Sequence, residues 1–456
     1  MKFNLFFVIA ISSLTAAFPY SNDDLNFVHT VFETGIEPQT ETQIELPQEP
    51  PIPDLSPELS LELSQEPVQE LPQELIKNDE PILYSYKPTK DNVKFIGRVS
   101  NQDGSLWAGL TDSGMEFKFI GKTVIITVST DSIYGSLNES TPAHIFVYGD
   151  NNLYYDTITT EETMELNIVF DEVGKHTVRL IKVSECILGS IYINEIKTDA
   201  VIILPTATKD KKIEFIGDSI TCAYGATDTA DGEFSTKTED GTKSYAYKVA
   251  QKFNADYSLF SLSGYGVYSG CNFGGVRDTY TIIPPLYEKL GRLNWNDNYP
   301  EETVVSMSDV DWDSSEFEPD LVVVNLGTND AYYINSILDE ETKEIEKANF
   351  SEAYKNFIYQ IRSVHPNSEI LCVLGAMGQD LYGEVEKAVI DYYNETNDSN
   401  VNAYKLNEQN VSKNGIGYLE HPNTLSQVDI ANEIIERLET LYGWIPDSNV
   451  DISESI

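Results

Sequence analysis

Between residues 82 and 203, apolar residues come in short runs rich in β-branched and aromatic side chains, each closed by polar residues. The runs at 93–96, 115–119, 124–128, 145–148, 166–170, 176–181 and 191–193 predict strands. Clusters such as Asn101-Gln102-Asp103-Gly104 and Gly149-Asp150-Asn151-Asn152 predict the turns between them. Short strands at this spacing indicate an all-β sandwich of jelly-roll type over 81–205. At 206 the rhythm changes. Near-continuous apolar runs at 213–216, 259–262, 321–324 and 370–374 read as strands covered on both faces. Helical spacing appears at 244–250, 350–362 and 425–442. Together these predict a doubly wound α/β domain with a mostly parallel sheet over 206–446, then a tail over 447–456.

The first 80 residues carry neither pattern. Lys2, an apolar run at 5–11 and the exit Ala16-Ala17 read as a secretory signal peptide over 1–17, or as an anchor left uncleaved. No later stretch approaches the ~18 apolar residues of a membrane-spanning helix. Residues 18–80 read as a disordered linker rich in Pro and Glu, because frequent Pro blocks helix and sheet and the Glu residues repel one another. A recognition tail for another protein is the alternative. Five glycosylation sequons, at Asn138, Asn349, Asn394, Asn397 and Asn410, fit a secreted, extracellular glycoprotein.

Composition narrows the function. The 456 residues suffice for two or three domains at about 150 each. A hydrophobic content of 41% rules out disorder of the whole chain. Lys and Arg number 30 against 74 Asp and Glu, a formal charge of -44. Such a surface repels phosphate, so neither nucleic acid nor an anionic membrane is expected as a partner. Four Cys and five His exclude a disulfide-stapled scaffold and a Cys-rich zinc module. No metal-ligand spacing appears, and no cofactor is implied.

Chemistry-bearing residues gather at the ends of the α/β strands. The first strand runs into Gly217-Asp218-Ser219-Ile220-Thr221. A Ser at a strand-to-helix junction lies where open α/β sheets bind ligands, although a helix N-cap explains it equally well in isolation. Ser263-Gly264-Tyr265-Gly266 follows the second strand, and Gly permits close backbone approach. After the third comes Gly327-Thr328-Asn329-Asp330, whose Asn can aim its amide at an oxyanion or merely cap a turn. Glu420-His421-Pro422-Asn423 precedes the last helix, and a neutral His can carry a Ser proton. His144 and His176 read as strand residues, and His365 as a structural corner.

In this order, Gly-Asp-Ser, Gly264, Gly-x-Asn-Asp and a C-terminal His-Pro resemble the four blocks of SGNH (GDSL-type) hydrolases. The β-sandwich placed before them, with Trp312-Asp313 ahead of the third strand, resembles carbohydrate esterase family two. The resemblance implies a serine esterase, of acetyl xylan esterase type, that removes O-acetyl groups from hemicellulose such as xylan or mannan. It implies Ser219 as nucleophile and His421 as general base, with Ser219 N–H, Gly264 N–H and the Asn329 amide as the oxyanion hole. Acetylated plant polysaccharide would be the partner, with Tyr265, Trp295 and Trp312 as candidate binding aromatics. An SGNH esterase for other acyl esters and an inactive carbohydrate-binding protein are the alternatives.

One feature departs from that family's pattern. An Asp two or three residues before the His is usual, whereas this chain has Leu419 and Tyr418 there. Glu420 is adjacent to His421, where side chains point apart. Either a backbone carbonyl or a carboxylate from elsewhere in the chain orients the imidazole; the resemblance, to a family in which some members work with a Ser-His dyad, favours the carbonyl. Cys222 and Cys271 pair as a disulfide or stay free.

Overall fold

The computed structural model describes residues 82–130, 142–232, 235–292 and 306–453. The expected signal peptide and linker, Asn138 and Trp295 lie outside the described residues.

The first region is one antiparallel sheet. It comprises β1 (Tyr84–Tyr86), β2 (Lys94–Ile96), β3 (Val99–Gln102), β4 (Ser105–Ala108), β5 (Ser113–Thr130), β6 (His144–Gly149), β7 (Asn152–Ile158), β8 (Thr163–Lys182), β9 (Ile191–Thr198) and β10 (Ile203–Pro205). The order is β3-β4-β9-β5-β8-β6-β7, with β1 on β9 and with β2 and β10 on β5. Two pairs of expected strands are each a single long one. The runs at 115–119 and 124–128 are halves of β5, and those at 166–170 and 176–181 are halves of β8. Turn residues misled here: Gly121 and Gly174 pair across the ladder, where the register shifts between Gly121 and Thr123. The freed N–H groups of Lys122 and Thr123 go to the Asp199 carboxylate at 2.9 and 3.1 Å. The bulge thus bends the strand without leaving a donor unpaired. Met115, Phe117 and Phe119 before it, and Val124, Ile126 and Val128 after it, enter one buried cluster with Leu106, Ile145, Leu180 and Ile193.

The second region is a parallel sheet, built from β11 (Lys211–Gly217), β12 (Ala255–Ser261), β13 (Leu321–Asn325), β14 (Glu369–Leu374) and β15 (Val401–Lys405). Its order is β12-β11-β13-β14-β15. The helices are α1 (Ser219–Cys222), α2 (Tyr245–Lys252), α3 (Thr328–Asn335), α4 (Glu340–Val364), α5 (Tyr382–Thr396), α6 (Val411–Asn414) and α7 (Thr424–Tyr442). Residues of α4 and α5 pack on one face with Val322, Val324, Ile370 and Cys372. Those of α2 and α7 pack on the other with Ile213, Phe215, Val323 and Leu371. Double coverage accounts for the near-continuous apolar strands. The chain steps from β11 out to β12, then back across to β13. The order therefore reverses beside β11, and the crevice beyond the strand ends opens there.

The two sheets belong to one compact unit. Trp107, Cys186 and Leu188 of the antiparallel region share a core with Ile216 and Phe260 of the parallel one. Arg98, just past β2, reaches Glu214 on β11 at 2.8 Å, both side chains being buried. Tyr287 donates its hydroxyl to the same carboxylate at 2.6 Å, and His365 Nε2 stands 3.4 Å away. Against the cost of burial, Arg98 and these donors hold Glu214 down to about 2. The residues after α7 also pack: Lys248 on α2 donates to Ile452 O at 3.1 Å.

Candidate active site

Ser219 opens α1, directly at the end of β11. Asp218 caps that helix by accepting the Ile220 N–H at 3.0 Å. As the first helical residue, Ser219 has an N–H with no acceptor inside the helix. Only one turn long, α1 takes its anchorage from outside. Gln427 on α7 donates to Ile220 O at 2.9 Å and accepts the Tyr245 N–H at 2.8 Å. Helix α7 begins three residues after His421 and is capped by Asn423, so the helix that follows His421 also grips the helix that carries Ser219.

His421 Nε2 lies 2.8 Å from Ser219 Oγ. Its Nδ1 faces two backbone carbonyls, Tyr418 O and Leu419 O, each at 3.1 Å. Because both partners of Nδ1 are acceptors, Nδ1 carries the proton and Nε2 is left free to accept from the serine. Two carbonyls converge because Leu419 and Glu420 take left-handed φ values of 48° and 63°. For non-Gly residues that conformation costs roughly 1–2 kcal/mol each. The Glu420 side chain is exposed and stands apart from this pairing. Burial lowers the His421 pKa to about 4, against the opposing pull of the two carbonyls.

The turn after α1 docks on the turn before His421. Tyr418 N–H donates to Gly225 O at 3.1 Å, and Thr424 N–H donates to Ala226 O at 3.2 Å. Gly225 has φ +61°, and a Cβ there would stand 2.6 Å from Tyr418 Cβ. Tyr224 lays its ring 4.9 Å from the imidazole, centroid to centroid. Neither Tyr224 nor Gly225 was found by sequence reasoning, since their role lies in a contact nearly 200 residues away along the chain.

The other two blocks arrive from β12 and β13. Gly264 turns the backbone at φ +82°. Asn329, in the first turn of α3, donates its amide to Tyr265 O at 2.8 Å and reaches Asp218 Oδ2 at 3.3 Å. The second contact is long, so that hydrogen is the more weakly held of the two. Asp330 accepts from the N–H groups of Val267, Tyr268 and Ser269 at 2.7–3.1 Å and so holds the loop beyond Gly264. Burial raises Asp218 to about 7 and Asp330 to about 6, although backbone N–H groups oppose the shift at both.

The aromatic candidates fare differently. Tyr265 is fully buried, so it offers no face to a ligand and serves through its carbonyl. Trp312 packs partly buried against the core, 5.7 Å from the Arg98 guanidinium. Another pair lies elsewhere: exposed Phe273 and half-buried Tyr332, ring centroids 5.0 Å apart. Tyr332 follows Asn329 by three residues, and Cys271, two before Phe273, donates its N–H to Gly264 O at 2.9 Å. All four cysteines are free thiols, Cys222 and Cys271 included. Among the described residues, no three His, Cys, Asp or Glu side chains converge as metal ligands, and no helix is long and apolar enough to cross a membrane.

Comparison with known proteins adds five findings. Residues 213–434 match the model of the GDSL-like Lipase/Acylhydrolase family. The Cellulase/esterase CelE of Acetivibrio thermocellus is 28% identical over 374 residues, 79% of this chain and 41% of that protein. An Acetylxylan esterase / glucomannan deacetylase of Cellvibrio japonicus is 25% identical over 288 residues, 62% of this chain and 72% of that one. The chain thus spans less than half the length of the first of these relatives. Among solved structures, a family two carbohydrate esterase from Clostridium thermocellum in complex with cellohexaose is 26% identical. It superposes with a TM-score of 0.64 over 77% of this chain and 100% of its own. The fold is also that of an acetyl xylan esterase, Est2A, from Butyrivibrio proteoclasticus, with a TM-score of 0.68 at 21% identity over 80% of this chain and 100% of that one.

Proposed function

Since residues 213–434 match the GDSL-like Lipase/Acylhydrolase family model, we propose that this protein is a secreted serine carbohydrate esterase that removes O-acetyl groups from hemicellulose through an acetyl-enzyme. The observation that carries the reading is the 2.8 Å contact between His421 Nε2 and Ser219 Oγ, with Nδ1 held by two carbonyls.

Ser219 Oγ attacks the acetyl carbonyl while His421 Nε2 takes its proton. The carbonyl oxygen gains negative charge, and the Ser219 N–H, the Gly264 N–H and the Asn329 amide donate to it. His421 then returns the proton to the departing sugar hydroxyl, leaving Ser219 acetylated. Water enters against the same base, and acetate leaves. The carbonyl dipoles orient the imidazole and stabilise its cation less than a buried carboxylate would. The Phe273–Tyr332 pair at the rim of these elements suits the apolar face of a sugar ring. The exposed sequons Asn349, Asn394, Asn397 and Asn410 are compatible with passage through a glycosylating secretory route.

The test is release of product from a chromogenic acetyl ester, followed by release of acetate from acetylated xylan and glucomannan. Ser219→Ala should abolish turnover and leave the fold intact. Residual activity within about tenfold of wild type, ~1.4 kcal/mol in barrier, contradicts the assignment. Activity on the chromogenic ester with none on either polymer points to a different acyl substrate.

A further inference from the structure

Past the end of β8 the antiparallel region makes a buried turn at Ser184-Glu185. Lys182 pins it, its ammonium donating to Ser184 O at 2.5 Å and Glu185 O at 2.8 Å. The Glu185 main-chain N–H goes to the carboxylate of Glu239 at 2.5 Å. The Glu185 side chain then leaves its own region. Its Oε2 accepts the Ser263 N–H at 2.8 Å and faces the Cys222 thiol at 3.7 Å. Ser263 immediately precedes Gly264, and Cys222 lies three residues after Ser219 on α1. One fully buried carboxylate therefore touches the backs of both segments that carry the oxyanion donors.

We propose that Glu185 is a positioning residue, supplied by the antiparallel region, that fixes the Ser263-Gly264 backbone relative to the Ser219 helix. This rests on the esterase reading above. A glycine at positive φ has wide backbone freedom, so the direction of the Gly264 N–H depends on what holds the residue before it. Donors of an oxyanion hole act by being fixed in advance, and a displacement of about 1 Å costs on the order of 10²-fold in rate. Burial raises the Glu185 carboxyl to about 7, opposed by Ser263 and Lys182. Ionised or neutral, it retains an oxygen that accepts the Ser263 N–H.

The variants are Glu185→Ala, which removes the acceptor, and Glu185→Gln, which keeps one. With a chromogenic acetyl ester, Glu185→Ala should lower kcat by about 10²-fold and leave KM nearly unchanged, since the donors tighten only in the transition state. Glu185→Gln should recover most of that loss. Independently of any activity, hydrogen exchange of the peptide spanning 262–266 should be slow in wild type. It should accelerate in Glu185→Ala while peptides from β13 stay protected. Should Glu185→Ala not fold, Glu185→Leu fills the volume without accepting an N–H and is read in its place. Wild-type exchange at 262–266 as fast as in a surface turn overturns the proposal, whatever the variants do. So does a folded Ala or Leu variant with wild-type kcat, or one whose loss Gln does not relieve. A wild type inactive on acetyl esters defeats the esterase reading instead, and the exchange comparison still decides whether Glu185 holds the loop.

Discussion

The imidazole of His421 leans on two peptide carbonyls where a carboxylate is usual, and this choice has measurable consequences. A carboxylate partner raises a histidine pKa, whereas burial without one lowers it. With His421 at about 4, the base stays neutral through the acid range. Protonation would deny Ser219 its acceptor, so kcat/KM should be level down to about pH 5 and fall only as pH drops through about 4. A limb near the ordinary histidine value of about 6.5 would show an imidazole that is neither dry nor unpaired. The side chain of Glu420 faces solvent, so Glu420→Gln should leave kcat within about threefold of wild type. A loss above a hundredfold, ~2.7 kcal/mol, in a folded variant would make that carboxylate catalytic. The residue types of this site were legible in the sequence, because Ser and Asn at strand ends with a His before the last helix have few other uses in combination. Its orienting group was not, because a backbone carbonyl is the same at every position.

At the scale of elements, two turns have to meet for Ser219 and His421 to touch. Gly225 O accepts the Tyr418 N–H, and the space where a Cβ of residue 225 would stand is occupied by Tyr418. Gly225→Ala should therefore push the turns apart and also strain its own backbone by roughly 1–2 kcal/mol. Kinetics on an acetyl ester should show at least a tenfold loss in kcat, while circular dichroism shows unchanged secondary structure. Unchanged kcat would mean that the anchorage through Gln427 alone sets the Ser-His distance. Element prediction succeeded where periodicity was strong and failed where two signals competed. Glycine at 121 and 174 reads as a turn, yet in β5 and β8 it marks a bulge within a continuous ladder. Strand β15, at Val401–Lys405, has only one fully buried residue and so little apolar signature. Helix α5 was missed although Val385, Ala388, Val389 and Tyr392 carry the i, i+3, i+4 spacing of a buried face.

Across the whole molecule, an acidic chain buries an unusual set of acids. Asp218 and Glu185 are raised to about 7 and Asp330 to about 6, while Asp112, Glu239 and Asp240 are also raised, in every case chiefly by burial. A carboxyl whose folded pKa is raised stabilises fully below its unfolded value of about 4 and loses that contribution as pH rises through the folded pKa. His421, lowered to about 4, acts in the opposite sense: its contribution is present above about 6.5 and is lost as pH falls toward 4. Six acids outweigh one histidine, and a formal charge of -44 adds self-repulsion that protonation relieves. The melting temperature should therefore rise by several degrees between pH 7.5 and pH 5.5. A flat or inverted profile in differential scanning calorimetry would mean that the buried carboxyls are compensated as ions.

By itself the sequence determined what is local or periodic. Strand and helix propensities alternate along it, apolar runs mark the doubly covered strands, and three short blocks at strand ends and a fourth before the last helix fall in a fixed order. Each of these follows from side-chain size, polarity and spacing within a few residues. Tertiary structure decided what depends on distance through space. It buried Tyr265 and left Phe273 exposed, because burial is a property of the neighbours a residue meets. It turned the Leu419 carbonyl toward His421 through a backbone conformation that nothing in Leu or Glu favours. It also carried Glu185 from the antiparallel region to the Ser263 N–H beside Gly264, a contact 78 residues apart along the chain that no local pattern encodes.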